Sequence, residues 1–212
     1  MNGGFGMAYS VITISREFGT GARVIGQELA TLLGYNYYDR AIIHMAAEKS
    51  GLSPEFIERT EEKSNTSFFF NLATASAYTS SGLNLQYTMP VNDRAFIAES
   101  EVIMDIAKSG NSVIVGRAAD YVLASHPKLL RVFLYGDKED RIKRIVDDYG
   151  FDPEKAESDL TKIDKGRANY HKFYTGAPWK DLTAYDICLS TTKTGIDGAI
   201  QSLKSLADVC LK

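Results

Sequence analysis

The sequence has little of what marks secreted, membrane or nucleic-acid-binding proteins. Only two of its 212 residues are cysteines, Cys188 and Cys210, and they lack the spacing of metal ligands. This favours free thiols in a reducing compartment over a disulfide framework. No segment approaches the ~18 apolar residues of a membrane span. The N-terminal MNGGFGMAYS has neither the basic nor the long apolar region of a signal peptide. We therefore expect a cytoplasmic protein with no membrane partner.

The chain also has no excess of positive charge. It carries 24 Lys and Arg against 27 Asp and Glu, a net charge of −3, and its pI is about 5.7. Nothing in this balance indicates a nucleic-acid partner. A phosphate-handling enzyme can still be acidic overall, because its arginines need only converge in one cleft. The length suits one folded core, so we expect a single domain over 1–212.

Short β-branched runs alternate with amphipathic segments along most of the chain. The runs predict strands at 11–15, 35–38, 112–115, 130–135 and 184–189. Helical spacing, glycine stops and Pro54 predict helices at 23–33, 40–50, 53–62, 94–109, 117–125, 137–149, 153–174 and 196–211. This alternation predicts an α/β protein with a parallel sheet covered on both faces.

Residues 64–90 differ from the rest. They are rich in Ser, Thr, Asn and aromatics and contain no charged residue. We interpret them as an irregular or mobile insertion. Its aromatic side chains need cover from neighbours, a ligand or another subunit, so a homo-oligomer is possible.

The stretch ITISREFGTGARVIGQ has the order of a phosphate-binding loop between a strand and a helix. Such loops follow the pattern G-x-x-x-x-G-K-[ST], in which the lysine reaches the β- and γ-phosphates. Placing the second glycine on Gly21 puts Arg16 at the first glycine, Ala22 at the lysine and Arg23 at the hydroxyl. The lysine is therefore missing.

The physical parts of such a loop are nevertheless present. Gly19 and Gly21 can adopt the positive φ angles of an anion-binding nest. Arg23 stands in the first helical turn, where a guanidinium can bind two phosphate oxygens at once. The alternative is a plain strand-turn-helix with Arg23 in solvent, and this stretch alone does not decide between them.

Three separated segments are similar to one family. ITISREFGTGARVIGQELATLLGYNYYDRAII, VIVGRAADYVL and DKEDRIKRIVDDYGF together resemble the cytidylate-kinase-like family, whose loop reads S-R-E-x-G-S-G-G-R-x-I-G. The resemblance runs from about 11 to 206. It implies a P-loop NTPase-type three-layer fold with a five-stranded parallel sheet, an acceptor-binding arm at about 52–95 and a lid at about 150–180. It also implies ATP-dependent transfer to a nucleoside monophosphate, cytidylate first among them, with ATP and Mg²⁺ as cofactors.

The resemblance also assigns residues, although it assigns no metal ligands. Those expected to bind ATP or its phosphates are Gly19, Thr20, Gly21, Ala22, Arg23, Val24 and Arg141. Those expected to bind the acceptor are Asp39, Arg40, Arg94, Arg117, Asp164 and Arg167. Arg23 and Arg167 are the expected catalytic residues, and Arg167 would arrive when the lid closes.

Several of these residues have plainer explanations. Asp39 could be the N-cap of the helix at 40–50, and Arg141 could lie on a salt-bridged surface helix. We expect His171 at the surface, His44 in the core and Trp179 packed in the return of the lid.

Two other functions stay open. Val115 and Ala118 stand where true cytidylate kinases carry acids, so the enzyme could phosphorylate another small acceptor. Alternatively, the missing lysine could mark a nucleotide-binding protein without turnover.

Overall fold

The computed structural model describes residues 9–62 and 91–211, so the predicted insertion at 64–90 lies outside the described residues. Five strands form one sheet in the order β2-β3-β1-β4-β5, and all four pairings are parallel. The strands are β1 (Val11–Arg16), β2 (Asn36–Tyr38), β3 (Ser112–Val115), β4 (Leu129–Tyr135) and β5 (Ile187–Ser190). The predicted five-stranded parallel sheet is confirmed.

The helices follow the predicted order. They are α1 (Ala22–Leu33), α2 (Ala41–Ser50), α3 (Pro54–Glu62), α4 (Val91–Ser109), α5 (Ala119–Val122), α6 (Lys138–Asp147), α7 (Ala156–Thr175) and α8 (Thr191–Cys210). None of these described helices combines the length and apolar character needed to cross a membrane.

Several elements begin or end at other residues than predicted, among them the helix expected at 117–125, which covers only Ala119–Val122, and two of these differences have a visible cause. The strand expected from residue 184 begins at Ile187, because Leu182–Ala184 forms a 3₁₀ turn whose preceding Asp181 accepts a hydrogen bond from the Thr183 amide. The last helix, expected from 196, already begins at Thr191, but Gly195 (φ 65°, ψ −179°) interrupts its helical backbone.

The sheet is covered on both faces because its strands alternate apolar side chains between two cores. Ile12 and Ile14 are fully buried on the face that α1 and α8 cover. Val11 and Ile114 are fully buried on the opposite face, against α2 and α4. Trp179 packs with Phe133 and Tyr185 in a smaller cluster, as predicted.

This architecture brings three loops to the carboxyl edge of the sheet. β1 leads into the glycine loop, β2 leads into Asp39 and Arg40, and β3 leads into Gly116 and Arg117. In open α/β sheets this edge is where ligands bind.

Candidate active site

A cavity of about 490 Å³ opens at the carboxyl edge of the sheet. Residues 16–24, which are the end of β1, the glycine loop and the start of α1, form one continuous part of its lining. More distant segments supply the rest of the lining: Asp39, Arg40, Glu58, Val115, Arg117, Tyr149, Phe151, Ile163 and Arg167. The volume lies within the range of small-molecule sites.

The glycine loop has the backbone of an anion nest. Gly19 and Gly21 have φ angles of 80° and 78°. A Cβ at Gly19 would lie 2.7 Å from the Arg141 carbonyl oxygen, and one at Gly21 would lie 2.3 Å from Cδ1 of Ile196. Within residues 9–62 and 91–211, the backbone N–H groups of residues 19–24 donate no hydrogen bond to the protein. Amides of this kind at a helix N-terminus can bind phosphate.

The other side of the loop is held by α6 and α7. Arg141 donates from Nη1 to the Phe18 carbonyl (3.0 Å), and Arg144 donates from Nη1 to the Gly19 carbonyl (2.6 Å). Asp164 accepts from the Phe18 amide (2.7 Å) and pairs with Arg141 (2.7 Å). Arg141 and Asp164 therefore contact the loop and lie outside the cavity lining. Their predicted roles toward ATP and the acceptor stay predictions, and these contacts favour a supporting role.

Glu17 is a further charged residue of the loop, and only 6% of it is exposed. Its carboxylate accepts a hydrogen bond from the Gly136 amide (3.2 Å), lies 3.5 Å from Nε of Arg141 and pairs with Lys180. This pairing ties the loop to the segment that follows α7.

Arg23 links the loop to the end of β2. Its Nε lies 3.3 Å from Oδ2 of Asp39, and the side chain of Arg23 is 61% exposed while that of Asp39 is 14% exposed. The N-cap of α2 is Arg40, and it carries no side-chain cap hydrogen bond. Asp39 therefore faces Arg23 across the cavity mouth and does not cap the helix.

Two arginines reach the cavity wall from separate elements. Arg117 is 5% exposed, has a φ of 61° and donates to Glu99 (3.1 Å). Arg167 donates to the Arg16 carbonyl (3.1 Å), and its guanidinium carbon lies 5.4 Å from the centroid of the Phe18 ring. The second contact is at cation–π distance. Both predicted residues are thus brought beside the glycine loop.

The remaining predicted acceptor residues are placed differently. Arg40 lines the cavity rim and pairs with Glu58 (2.9 Å). Arg94 does not line the cavity, because it donates to the Ser50 carbonyl at the C-terminus of α2 (3.2 Å). Cations near the last carbonyls of a helix are favourable there. The predicted role of Arg94 toward the acceptor stays a prediction.

Both histidine expectations are wrong. His171 is 4% exposed, and its Nε2 lies 3.2 Å from Oδ2 of Asp120. Asp120 in turn accepts from the Ser15 hydroxyl (3.1 Å) at the end of β1. His44 is exposed on α2. Tertiary packing decides which side of a helix is buried. The residues next to a histidine in the sequence do not show whether it lies on that side.

Sequence reasoning missed several residues of the lining. Arg16, Glu17 and Phe18 belong to the S-R-E-F run, so their place in the loop could have been recognised. Two of the others belong to the quoted DKEDRIKRIVDDYGF segment, although nothing in it indicated contact with the loop, and the remaining two reach the cavity only through the tertiary fold. These four residues are Glu58, Tyr149, Phe151 and Ile163.

The sequence model of the cytidylate kinase-like family matches residues 11–193. The chain belongs to this family. A cytidylate kinase from Thermoplasma acidophilum is 25% identical over 182 residues, which are 85% of this chain and 82% of that protein. Family membership supports a phosphotransferase of the kinase type that binds nucleotides.

Solved structures agree on the fold. An uncharacterised protein from Eubacterium ventriosum has a TM-score of 0.68 at 25% identity, covering 94% of this chain and 99% of that one. A shikimate kinase from Bacteroides thetaiotaomicron has a TM-score of 0.52 at 13% identity, covering 94% and 98%. At that identity the likeness shows the fold alone, which is that of the P-loop kinases.

Proposed function

We propose that the protein transfers the γ-phosphoryl group of ATP to a nucleoside monophosphate, with cytidylate as the first candidate acceptor. One observation carries the proposal: residues 19–24, whose backbone amides donate no hydrogen bond within the described parts of the chain, line a cavity that arginines from separate elements also line. These arginines are Arg16, Arg23, Arg40, Arg117 and Arg167. Two adjacent phosphate groups need such a concentration of donors and positive charge.

The glycine loop supports the donor side. Its N–H groups would hold phosphate oxygens at the start of α1, where the helix dipole adds attraction. Arg23 would supply the cation that lysine supplies in the ordinary pattern. Thr20 would contribute its backbone amide to this site, because the residue is 1% exposed and its hydroxyl donates to the Glu17 carbonyl (2.8 Å).

The rest of the cavity lining suits an acceptor that carries a phosphate and several hydroxyl or amino groups. Arg117 would bind the acceptor phosphate, because the buried pair with Glu99 fixes its position. Asp39, Arg40 and Glu58 offer carboxylates and a guanidinium to the remainder of the acceptor. Carboxylates can accept hydrogen bonds from the hydroxyl groups of a sugar or the amino group of a base.

The charge distribution suits Mg²⁺ bound mainly through phosphate oxygens. Among the residues that the structure describes, no group of three or more His, Cys, Asp or Glu could hold a metal ion. Mg²⁺ commonly keeps several waters and takes one or two carboxylates beside substrate phosphates. Asp39 is the lining carboxylate beside the loop that could serve, since the carboxylate of Glu17 is buried and pairs with Arg141 and Lys180. The bound ion would neutralise charge between the donor phosphates.

Catalysis would then be positioning and charge stabilisation. Arg23 lies between the loop and Asp39, and Arg167 projects from α7 onto Phe18 of the loop. Both can approach a phosphoryl group in transit between donor and acceptor. Positive charge fixed there stabilises the transition state more than the bound substrates.

A direct assay tests the proposal. Purified protein would be given ATP and Mg²⁺ with CMP, dCMP, UMP, AMP or GMP, and with shikimate and gluconate as acceptors that are not nucleotides. We expect acceptor-dependent ADP release and a diphosphate product, with the highest kcat/KM for CMP or dCMP. Lys108→Ala, an exposed change at the end of α4, is a control that should match the wild type.

Two outcomes would support the rival functions. Highest turnover with another acceptor would indicate a different kinase specificity, which the apolar Val115 in the cavity wall favours. Tight ATP binding without turnover on any acceptor would indicate a nucleotide-binding protein in which catalysis is lost.

A further inference from the structure

Tyr149 lies in the connection between α6 and α7, and the family resemblance assigned it no role. It follows α6 and precedes Gly150, whose φ of 73° turns the chain toward α7. It lines the same cavity as the glycine loop, Arg23 and Arg167, and 40% of the residue is exposed.

Packing against the phosphate loop fixes the Tyr149 ring. Its centroid lies 5.9 Å from that of Phe18, with an angle of 56° between the ring planes. Phe151 packs on Phe18 as well, edge to face, at 5.4 Å and 61°. Aromatic pairs prefer such tilted arrangements, and each contributes about 0.5–1.5 kcal/mol beyond the area it buries. Contact with Phe18 of the phosphate loop therefore fixes the position of the Tyr149 ring.

Tyr149 brings a hydroxyl group to the lining of this cavity. In the two described ranges, 9–62 and 91–211, it forms no hydrogen bond with the protein. Burial raises the pKa of this hydroxyl, and the charges of Arg144, Arg23 and Arg167 lower it in part. The net shift is upward, so the group keeps its proton near neutral pH.

We propose that Tyr149 is a phosphate-binding residue, whose Oη donates a hydrogen bond to an oxygen of the polyphosphate held by residues 19–24. A neutral donor suits this position because a further cation would be repelled by the arginines already present. The inference rests on the phosphate-binding part of the proposed function and does not depend on phosphoryl transfer.

Binding of a bare polyphosphate tests the role without a base or an acceptor. Calorimetric titrations would use sodium tripolyphosphate, ATP with Mg²⁺, and adenosine on the wild type and on Tyr149→Phe, Tyr149→Leu and Tyr9→Phe. Tyr9 is a matched control because it is 45% exposed and lies before β1, at the opposite edge of the sheet.

We expect Tyr149→Phe to weaken tripolyphosphate and ATP binding about 10- to 100-fold, the usual range for a hydrogen bond to a charged group. Adenosine binding should not change, and Tyr9→Phe should match the wild type for every ligand. Because the phenyl ring keeps its contact with Phe18, the melting temperature should also be unchanged.

A second measurement avoids any substitution. Protein labelled with 3-fluorotyrosine should show a change in the ¹⁹F signal of Tyr149 on addition of tripolyphosphate, with the signal assigned by its absence from Tyr149→Phe. No change would overturn the inference. Equal tripolyphosphate affinity in the wild type and Tyr149→Phe, with weaker ATP binding in Tyr149→Leu alone, would also overturn it and assign the ring to stacking.

The same experiments separate this inference from the proposed function. A wild type that binds tripolyphosphate through Tyr149 but turns over no acceptor would support the inference and refute the transfer. Turnover that is unaffected in Tyr149→Phe, with unchanged tripolyphosphate affinity, would refute the inference alone. A wild type that binds neither tripolyphosphate nor ATP would overturn both.

Discussion

Arg23 lies one position after the residue that is lysine in the usual phosphate loop, and its side chain offers a different hydrogen-bonding geometry. A lysine there would be a flexible point charge, whereas Arg23 carries a planar donor fork that already reaches Asp39. The Arg23 guanidinium is exposed although Asp39 is mostly buried, and ion pairs with an exposed partner contribute only about 0–1 kcal/mol. Asp39 can therefore release Arg23 to a phosphate at little cost.

At this scale the first prediction concerns Arg23→Ala. Because the backbone amides hold the ground-state phosphates, nucleotide Kd should rise only modestly. The contact of the arginine should strengthen as charge moves between donor and acceptor, so kcat should fall about 10²- to 10³-fold. Steady-state kinetics with the best acceptor and ATP titrations measure the two effects separately.

The double variant Ala22→Lys, Arg23→Ala tests the same idea from the other side, since it restores the ordinary lysine. We expect it to recover part of the lost rate, while Lys108→Ala stays at the wild-type rate. An Arg23→Ala enzyme with unchanged turnover and nucleotide affinity would show that Arg23 is only a solvated residue of the first turn.

Two glycines allow the cost of a left-handed backbone conformation to be measured separately from the cost of a steric clash. Gly34 has a φ of 68°, and a Cβ there would meet nothing within 4 Å, whereas a Cβ on Gly19 would meet the Arg141 carbonyl at 2.7 Å. Gly34→Ala should lower the free energy of unfolding by about 1–2 kcal/mol, the cost of a left-handed alanine. Gly19→Ala should lower it by about a further 1–3 kcal/mol because of overpacking. Urea denaturation measures both, and equal losses would contradict the prediction.

At the scale of elements, the glycine loop is held in place by two helices through a buried charge cluster. Arg141 lies between Glu17 and Asp164, and its side chain is 8% exposed. Removing one partner of a buried pair leaves an uncompensated charge, which costs about 3–5 kcal/mol. We therefore expect Arg141→Met to lower the free energy of unfolding by about that amount.

Lys143→Met is the matched control for this variant, because Lys143 lies on the same helix and is exposed. It should change the urea midpoint little. The same midpoint for both variants would show that the cluster does not stabilise the loop.

The elements show how far sequence reasoning could reach. The strands and their parallel order followed from β-branched runs between helices, and Gly21 as the entry to α1 followed from the loop pattern. The sequence did not indicate which side of a helix packs against a neighbouring element. Arg141 and Asp164 bond to Phe18 of the loop and to each other, contacts that the sequence did not indicate, while their predicted roles toward ligands stay predictions. His171 was expected in solvent, but it pairs with Asp120, which is distant in sequence.

In the whole molecule, the predicted lid at 150–180 divides into two parts with different attachments. Residues from 164 onward are tied to the body by Asp164 on the loop, by the buried contact of His171 with Asp120 and by Trp179 in its aromatic cluster. Residues 150–163 pack mainly against α6, through Ala156 and Leu160 beside Ile145.

We therefore predict that closure involves 150–163 more than 164–180. Lids close on substrate, so hydrogen exchange of 150–163 should be faster without ligand and should slow on addition of ATP, Mg²⁺ and the acceptor. The amides of 164–180 should be protected in both states, since buried contacts hold that half to the sheet. Hydrogen exchange followed by mass spectrometry of peptides from each half measures the difference, with peptides from α4 as the internal reference. Equal protection of the two halves without ligand, or no slowing of 150–163 when the nucleotides bind, would mean that this segment is part of the rigid body and that access to the cavity is controlled elsewhere.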